Sequence, residues 1–256
     1  MKRVLTAAVA IPITLLITLY SHELILALVI AGLAALALDE FLSLSEKKGI
    51  GRPGRWFLVP AALVTFSFAM SSGGFYIVNA VTLTAISLLS VTIFTQPLET
   101  ALGRVGMGLG GLVYCCLSLG FLISMPRECI VMVLAIIWTG DSAAYYGGRA
   151  FGRHLLAPRV SPKKTVEGAI AGLIGSIAAG VIVGTWYLGE SWPGLVATSA
   201  VTGIAGQIGD LAESALKRSA NVKDSSSILP GHGGILDRLD SLFFAAPVFY
   251  WFFFNI

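Results

Sequence analysis

The sequence predicts an all-α, polytopic integral membrane protein of about nine transmembrane helices, and three observations carry that prediction. Only 12% of the 256 residues are charged, about half the share of a soluble domain. Hydrophobic residues make up 56%, and mean hydropathy is +0.84. Apolar stretches near the ~20 residues that cross a bilayer core recur along the whole chain. These spans should be helical, because hydrocarbon cannot satisfy an open strand edge.

The apolar segments fall at 4–20, 24–44, 57–71, 74–95, 107–125, 129–147, 168–188, 194–216 and 241–256. The first follows Lys2 and Arg3 and could pass for a secretory signal. No small-residue cleavage site stands before Ser21-His22-Glu23, and a second apolar run follows at once, so it is read as a span. The segments 57–71 and 241–256 are the shortest. If spans alternate from an inside amino terminus, all but Arg127 of the 17 Lys and Arg lie on the inner side. That asymmetry sets an N-inside and, for nine spans, C-outside topology. Charged substrates are then met from the cytoplasm. The outward turns are short, whereas the inward loops 148–167 and 217–240 are long. Residues 1–130 read as scaffold helices and 131–256 as the catalytic region. Gly168, Gly172, Gly175, Gly180 and Gly184 suit close helix packing. Cys115, Cys116 and Cys129 lie in apolar runs without metal-site spacing and read as small buried hydrophobes.

Of the carboxylates within spans, the clearest cases are Asp141 in IIWTGDSAAYYGG and Asp210 in GIAGQIGDLAESALKR. Each costs about 2.5 kcal/mol or more at the bilayer centre, so function is the default reading and a buried ion pair the alternative. The most polar stretch is 214–240, SALKRSANVKDSSSILPGHGGILDRLD. Its Leu-Pro-Gly-His-Gly-Gly turn lets backbone approach a ligand closely. Upstream, Gln207, Asp210, Glu213, Ser214 and Lys217 recur at helical spacing; downstream, Asp237 and Asp240 are three apart. Carboxylates converging beside Lys163, Lys164, Lys217, Arg218, Lys223 and Arg238 suit Mg²⁺ and a polyphosphate. Zinc is disfavoured for want of His and Cys. His232 is read as a phosphate or nucleotide contact, with a loop hydrogen bond as the alternative. SPKKTVEG, 161–168, puts Lys164, Thr165 and Glu167 at the mouth of the next span, where Thr and Glu also start a helix. No Walker loop, Rossmann glycine pattern or nucleophile elbow is present.

The run Ser214-x-Leu216-Lys217-Arg218, then Lys223-Asp224, then Leu229-Pro230-x-His232-Gly233-Gly234-Ile235-x-Asp237-Arg238-Leu239-Asp240 resembles the motif of the phosphatidate cytidylyltransferase family, also called CDP-diacylglycerol synthases. The stretches from Asp141, from Leu156 to Gly168 and from Gly209 to Ser214 are similar to the family's pattern as well. The resemblance covers the carboxy-terminal half. It implies a multi-span helical protein, dimeric and open to the cytoplasm, that makes CDP-diacylglycerol and pyrophosphate from CTP and phosphatidic acid. It implies Mg²⁺ and a second, monovalent cation such as K⁺. Asp210 and Asp237 would be the central metal ligands, with Asp240 beside them. Lys217 and Arg218 would act on the reacting phosphates. Asp141, Lys164, Thr165, Glu167, Ser214, Lys223, Asp224, His232, Gly233, Gly234 and Arg238 would line the substrate site. The short amino-terminal region resembles bacterial members, which implies the bacterial inner membrane, and no nucleic-acid partner is expected. Two other readings are a CTP-dependent lipid kinase and an ion-coupled transporter. The second wants matching halves with midplane charges, and the chain shows no internal repeat.

Overall fold

The structure is a computed structural model, and it describes residues 2–70, 74–95, 97–189, 192–228 and 233–255. Helices dominate: α1 (Lys2–Tyr20), α2 (Glu23–Lys47), α3 (Leu58–Phe66), α4 (Phe75–Ile93), α5 (Ala101–Gly111), α6 (Ser118–Ile123), α7 (Arg127–Phe151), α8 (Val166–Val183), α9 (Trp192–Ser219) and α10 (Leu236–Asn255). Six helical stretches, among the described residues, are long and apolar enough to cross a membrane: Glu23–Lys47, Phe75–Ile93, Leu98–Ile123, Arg127–Phe151, Val166–Leu188 and Trp192–Ser219. Val9–Tyr20 and Arg55–Ala69 are apolar but shorter, and α10 carries Asp237, Arg238 and Asp240 near its start. The loop expected at 148–167 is more ordered than its sequence suggests. α7 runs to Phe151, and a two-stranded antiparallel hairpin, β1 (Leu155–Ala157) and β2 (Ser161–Thr165), occupies the rest.

By packing, the chain forms two units, residues 1–124 with 216–239, and residues 125–215 with 240–256. The first is built on α2, whose Leu38 and Leu42 are buried together with Phe57, Leu88, Leu112 and Leu119. Small residues let α5 come close: a Cβ on Gly111 would stand 2.5 Å from Leu38 Cδ1 and 2.8 Å from Phe41 Cδ1. Between α5 and α6 a π-helical turn, Leu112–Leu117, displaces backbone carbonyls from their usual partners. Thr65 donates its hydroxyl to one of them, Cys116 O, at 3.0 Å. Cys115, Cys116 and Cys129 are buried free thiols, as expected.

The second unit rests on a ladder of small residues between the antiparallel helices α7 and α8. Every fourth residue of α8 from Gly168 faces α7 across minimal side chains: Gly148 against Gly168, Ala144 against Gly172 and Gly140 against Ser176. A Cβ on Gly172 would lie 3.0 Å from Ala144 Cβ and 3.1 Å from Gly140 O. Backbones this close exchange a polar contact as well, since Ser176 Oγ donates to Ile136 O at 3.0 Å. This is the small-residue packing by which helices associate in lipid. On the other side, Gln207 of α9 donates to Ala169 O at 3.0 Å, and Gly209 of α9 meets the Asp240 carbonyl, 2.6 Å from where a Cβ would sit.

Gly172→Leu should therefore cost about 1–3 kcal/mol by overpacking, lowering Tm by roughly 2–4 °C per kcal/mol. Gly110→Ala on α5, where a Cβ meets nothing within 4 Å, should leave Tm unchanged or higher. Equal Tm values for the two detergent-purified variants would refute the ladder.

Candidate functional site

In the first unit the polar groups gather around Asp237. α9 ends at Ser219 because Asn221 turns left-handed, with φ 58°, and Val222 N donates to Lys217 O at 3.0 Å. That closure satisfies the last carbonyls of the helix and leaves Lys217 and Arg218 in its final turn. Arg218 donates to Val222 O at 3.0 Å. The chain then passes Lys223 and Asp224, both exposed, and buries Ser225. After the turn, Gly233 has φ 80°, a conformation that favours glycine, and a Cβ there would stand 2.5 Å from Asp237 Oδ2. A Cβ on Gly234 would collide with Glu40 Oε2 and Ser225 Oγ. The two glycines let the backbone wrap the carboxylate.

Asp237 stands in the first turn of α10, where the helix dipole favours an anion. Its Oδ1 receives Lys217 Nζ at 2.5 Å. Its Oδ2 receives Gly234 N at 2.7 Å, Ser225 N at 2.9 Å and lies 2.8 Å from the Ser225 hydroxyl. Side-chain exposure is 12% for Lys217 and 4% for Asp237. Burial pushes the Asp237 carboxyl up, but the Lys217 ammonium and the Gly234 and Ser225 donors outweigh it and bring it down to about 2.

Sequence reasoning passed over Glu40. It lies on α2, 3% exposed, and accepts four hydrogen bonds from residues far along the chain. Oε1 takes the Ser226 hydroxyl at 2.7 Å and Ile235 N at 3.0 Å; Oε2 takes Leu236 N at 2.8 Å and lies 2.7 Å from the Ser225 hydroxyl. The signal was available, because a carboxylate inside an apolar run demands a reason. Its neighbour Asp39 has a local one, an ion pair with Arg52 at 2.5 Å.

In the second unit Asp210 of α9 pairs with Lys164 of β2, and the Ser214 hydroxyl is 3.5 Å from Asp210 Oδ1. The hairpin that carries Lys164 is tied down at its base. Thr165 caps α8, its hydroxyl accepting from Gly168 N at 3.1 Å. Glu167 accepts from Arg153 N at 3.0 Å and His154 N at 3.2 Å, and meets His154 Nδ1 at 2.6 Å. Asp141 is exposed on α7. Asp240 Oδ1 accepts from Ser241 N at 2.7 Å, and its carbonyl packs on Gly209, the residue before Asp210. Arg238 is exposed. His232 lies outside the described residues.

Among the described residues no three His, Cys, Asp or Glu side chains form a ready metal cluster. Asp210 and Asp237, each within its own unit, nevertheless have the donor chemistry that suits Mg²⁺. That ion is held by one or two carboxylates plus substrate phosphates rather than by an all-protein cage, and each aspartate already holds a cation, the ammonium of Lys164 or Lys217.

The lowered Asp237 pKa makes a pH prediction. Against an ordinary value of 3.8, the interactions of the ionised form stabilise the fold by about 2 kcal/mol. That contribution is complete above about pH 4 and fades as pH falls toward 2. The Tm gap between wild type and Asp237→Asn should be constant from pH 7 to 5 and shrink below 4. A gap independent of pH down to 2.5 would sink this account.

The profile of the Cytidylyltransferase family matches residues 1–256. The chain is similar to the phosphatidate cytidylyltransferase of Staphylococcus haemolyticus, 34% identical over 259 residues and covering 96% of each chain. It is 47% identical over 135 residues to that of a Synechocystis species, 50% of this chain and 45% of the relative. With that of Brucella suis it shares 46% over 123 residues, 48% of this chain and 46% of the relative. In the last two, the chain spans about half the relative's length. A match over the full chain, joined to a relative aligned nearly end to end, places this protein: it belongs to the cytidylyltransferase family.

Proposed function

We propose that the protein is a phosphatidate cytidylyltransferase, converting CTP and phosphatidic acid to CDP-diacylglycerol and pyrophosphate. The observation that carries the reading is the buried Lys217–Asp237 pair, seated by the stretch whose sequence resembles the family motif. The six long apolar helices support a multi-pass membrane protein. The proposal extends this to nine spans, an N-inside topology in a bacterial inner membrane, a site facing the cytoplasm and a homodimer.

The substrate phosphate of phosphatidic acid attacks the α-phosphorus of CTP. One P–O bond forms, the bond to the β-phosphate bridge breaks, and pyrophosphate leaves with the electron pair. A phosphate monoester has a second pKa near 6, so the nucleophile is already largely dianionic and needs no strong base. Reactions of this type depend on positioning and charge neutralisation. Lys217, Arg218 and Lys223 screen the repulsion between two anionic substrates; Lys164 does so from the hairpin. Lys suits this role, a compact charge on a flexible stem that can leave one anion for another. Asp210, Asp237 and Asp240 would hold Mg²⁺, which would supply charge stabilisation to the phosphate oxygens; a second, monovalent cation such as K⁺ belongs to the same proposal. Asp141, Thr165, Glu167, Ser214, Asp224, His232, Gly233, Gly234 and Arg238 complete the proposed substrate site. The two acyl chains remain in the bilayer throughout.

Purified protein given labelled CTP, phosphatidic acid and Mg²⁺ should form a lipid-soluble nucleotide and release pyrophosphate. Release of CDP instead would establish a lipid kinase, and uptake of a solute by proteoliposomes without CTP would establish a transporter. Asp237→Asn should cut transfer by on the order of a hundredfold or more in protein that still inserts; near-normal turnover would remove Asp237 from the site. Lys217→Ala should chiefly raise KM for CTP. Loss of Tm with unchanged kinetics would make the pair purely structural.

A further inference from the structure

Glu40 does more than its place in an apolar helix requires. A helix N-terminus is ordinarily capped by a side chain just ahead of it in sequence. Here the first N–H groups of α10 are taken instead by a carboxylate on α2, through Ile235 N and Leu236 N. The same carboxylate reaches past the cap to Ser225 and Ser226. Ser225 is the link that matters, because its backbone N–H already donates to Asp237 Oδ2 and its hydroxyl stands between two acids, 2.7 Å from Glu40 Oε2 and 2.8 Å from Asp237 Oδ2. A hydroxyl carries one hydrogen and can serve only one carboxylate at a time. Whether Asp237 holds that hydrogen depends on whether Glu40 takes it.

We propose that Glu40 is a positioning residue for cytidylyl transfer, acting on Asp237 through the Ser225 hydroxyl. This rests on the function proposed above. With Lys217 on Oδ1, Asp237 is satisfied by two N–H donors on Oδ2, and Ser225 donates to Glu40. When Lys217 moves to a substrate phosphate, the Ser225 hydrogen is within reach of Asp237, and Glu40 keeps the loop in place with its three remaining donors. Glu40 thus fixes the direction of the Asp237 oxygens while their cation changes. A glutamine cannot do this, since its amide presents hydrogens to partners that themselves donate.

The test uses the full-length protein reconstituted in lipid. Metal-free Tm, Mn²⁺ affinity by electron paramagnetic resonance, and kcat and KM are measured for wild type, Glu40→Gln and Ser225→Ala. Ser225→Ala leaves the α10 cap intact and cuts only the link. Both variants should weaken Mn²⁺ binding at least about tenfold, as loss of partners that orient metal-binding groups does. Both should lower kcat while KM for phosphatidic acid is unchanged. If Ser225→Ala binds Mn²⁺ and turns over like wild type, the inference falls, and Glu40 is a cap alone. Should Glu40→Gln fail to fold, Ser225→Ala decides by itself. A wild type that binds Mn²⁺ but makes no CDP-lipid would overturn the proposed function, and the Mn²⁺ comparison would still decide the role of Glu40.

Discussion

A carboxylate withdrawn from water keeps its charge only where donors surround it, and the first unit of this protein is arranged so that Asp237 has them. Four groups from three places meet its oxygens: an ammonium from the end of α9, backbone and hydroxyl from Ser225, and backbone from Gly234. The left-handed Asn221 ends α9 ahead of this loop, and at 233 and 234 a side chain would collide with the groups around the carboxylate. Local geometry and electrostatics are therefore one requirement. The loop has its shape because the charge must be satisfied, and the charge persists because the loop has that shape.

The two lysine–aspartate pairs differ in kind. Lys217–Asp237 is nearly sealed from solvent, whereas Lys164 and Asp210 are each about 30% exposed. A sealed pair broken by losing one partner leaves an uncompensated charge and is strongly destabilising; a partly wet pair exchanges partners at little cost. The hairpin lysine can therefore change partners more readily than the α9 lysine. The rigid footing of the hairpin, through Thr165 and Glu167, is compatible with that freedom because it constrains backbone and leaves the Lys164 side chain to move.

What was legible in the sequence was whatever costs energy locally. Asp210, Lys217 and Asp237 stood out because charge is expensive beside apolar runs, and the glycines of α8 stood out because their spacing repeats. That spacing pointed to close packing, while the partner helix, α7, with Gly140, Ala144 and Gly148 opposite, is seen only in the structure. The hairpin was not legible, since Pro158, Pro162 and several cations give 155–165 no alternation of apolar and polar residues. Glu40 was hidden for a different reason. It sits beside Asp39 toward the end of an apolar run, where acidic residues often mark only the edge of a span, and its partners are 185 to 196 positions away. No window of sequence contains both ends of such an interaction.

That separation has a consequence for biosynthesis. Helix α2 leaves the ribosome long before Ser225 and Leu236 exist, and at about 5–20 residues per second the wait is roughly 10–40 s. Throughout that interval the newborn chain holds an acid among oily neighbours with none of its eventual donors. The helix must meanwhile keep that end near the aqueous face or inside the insertion machinery. Residues 225–236 then lock it down. A stalled product that ends before Ser225 would hold Glu40 with none of these four donors.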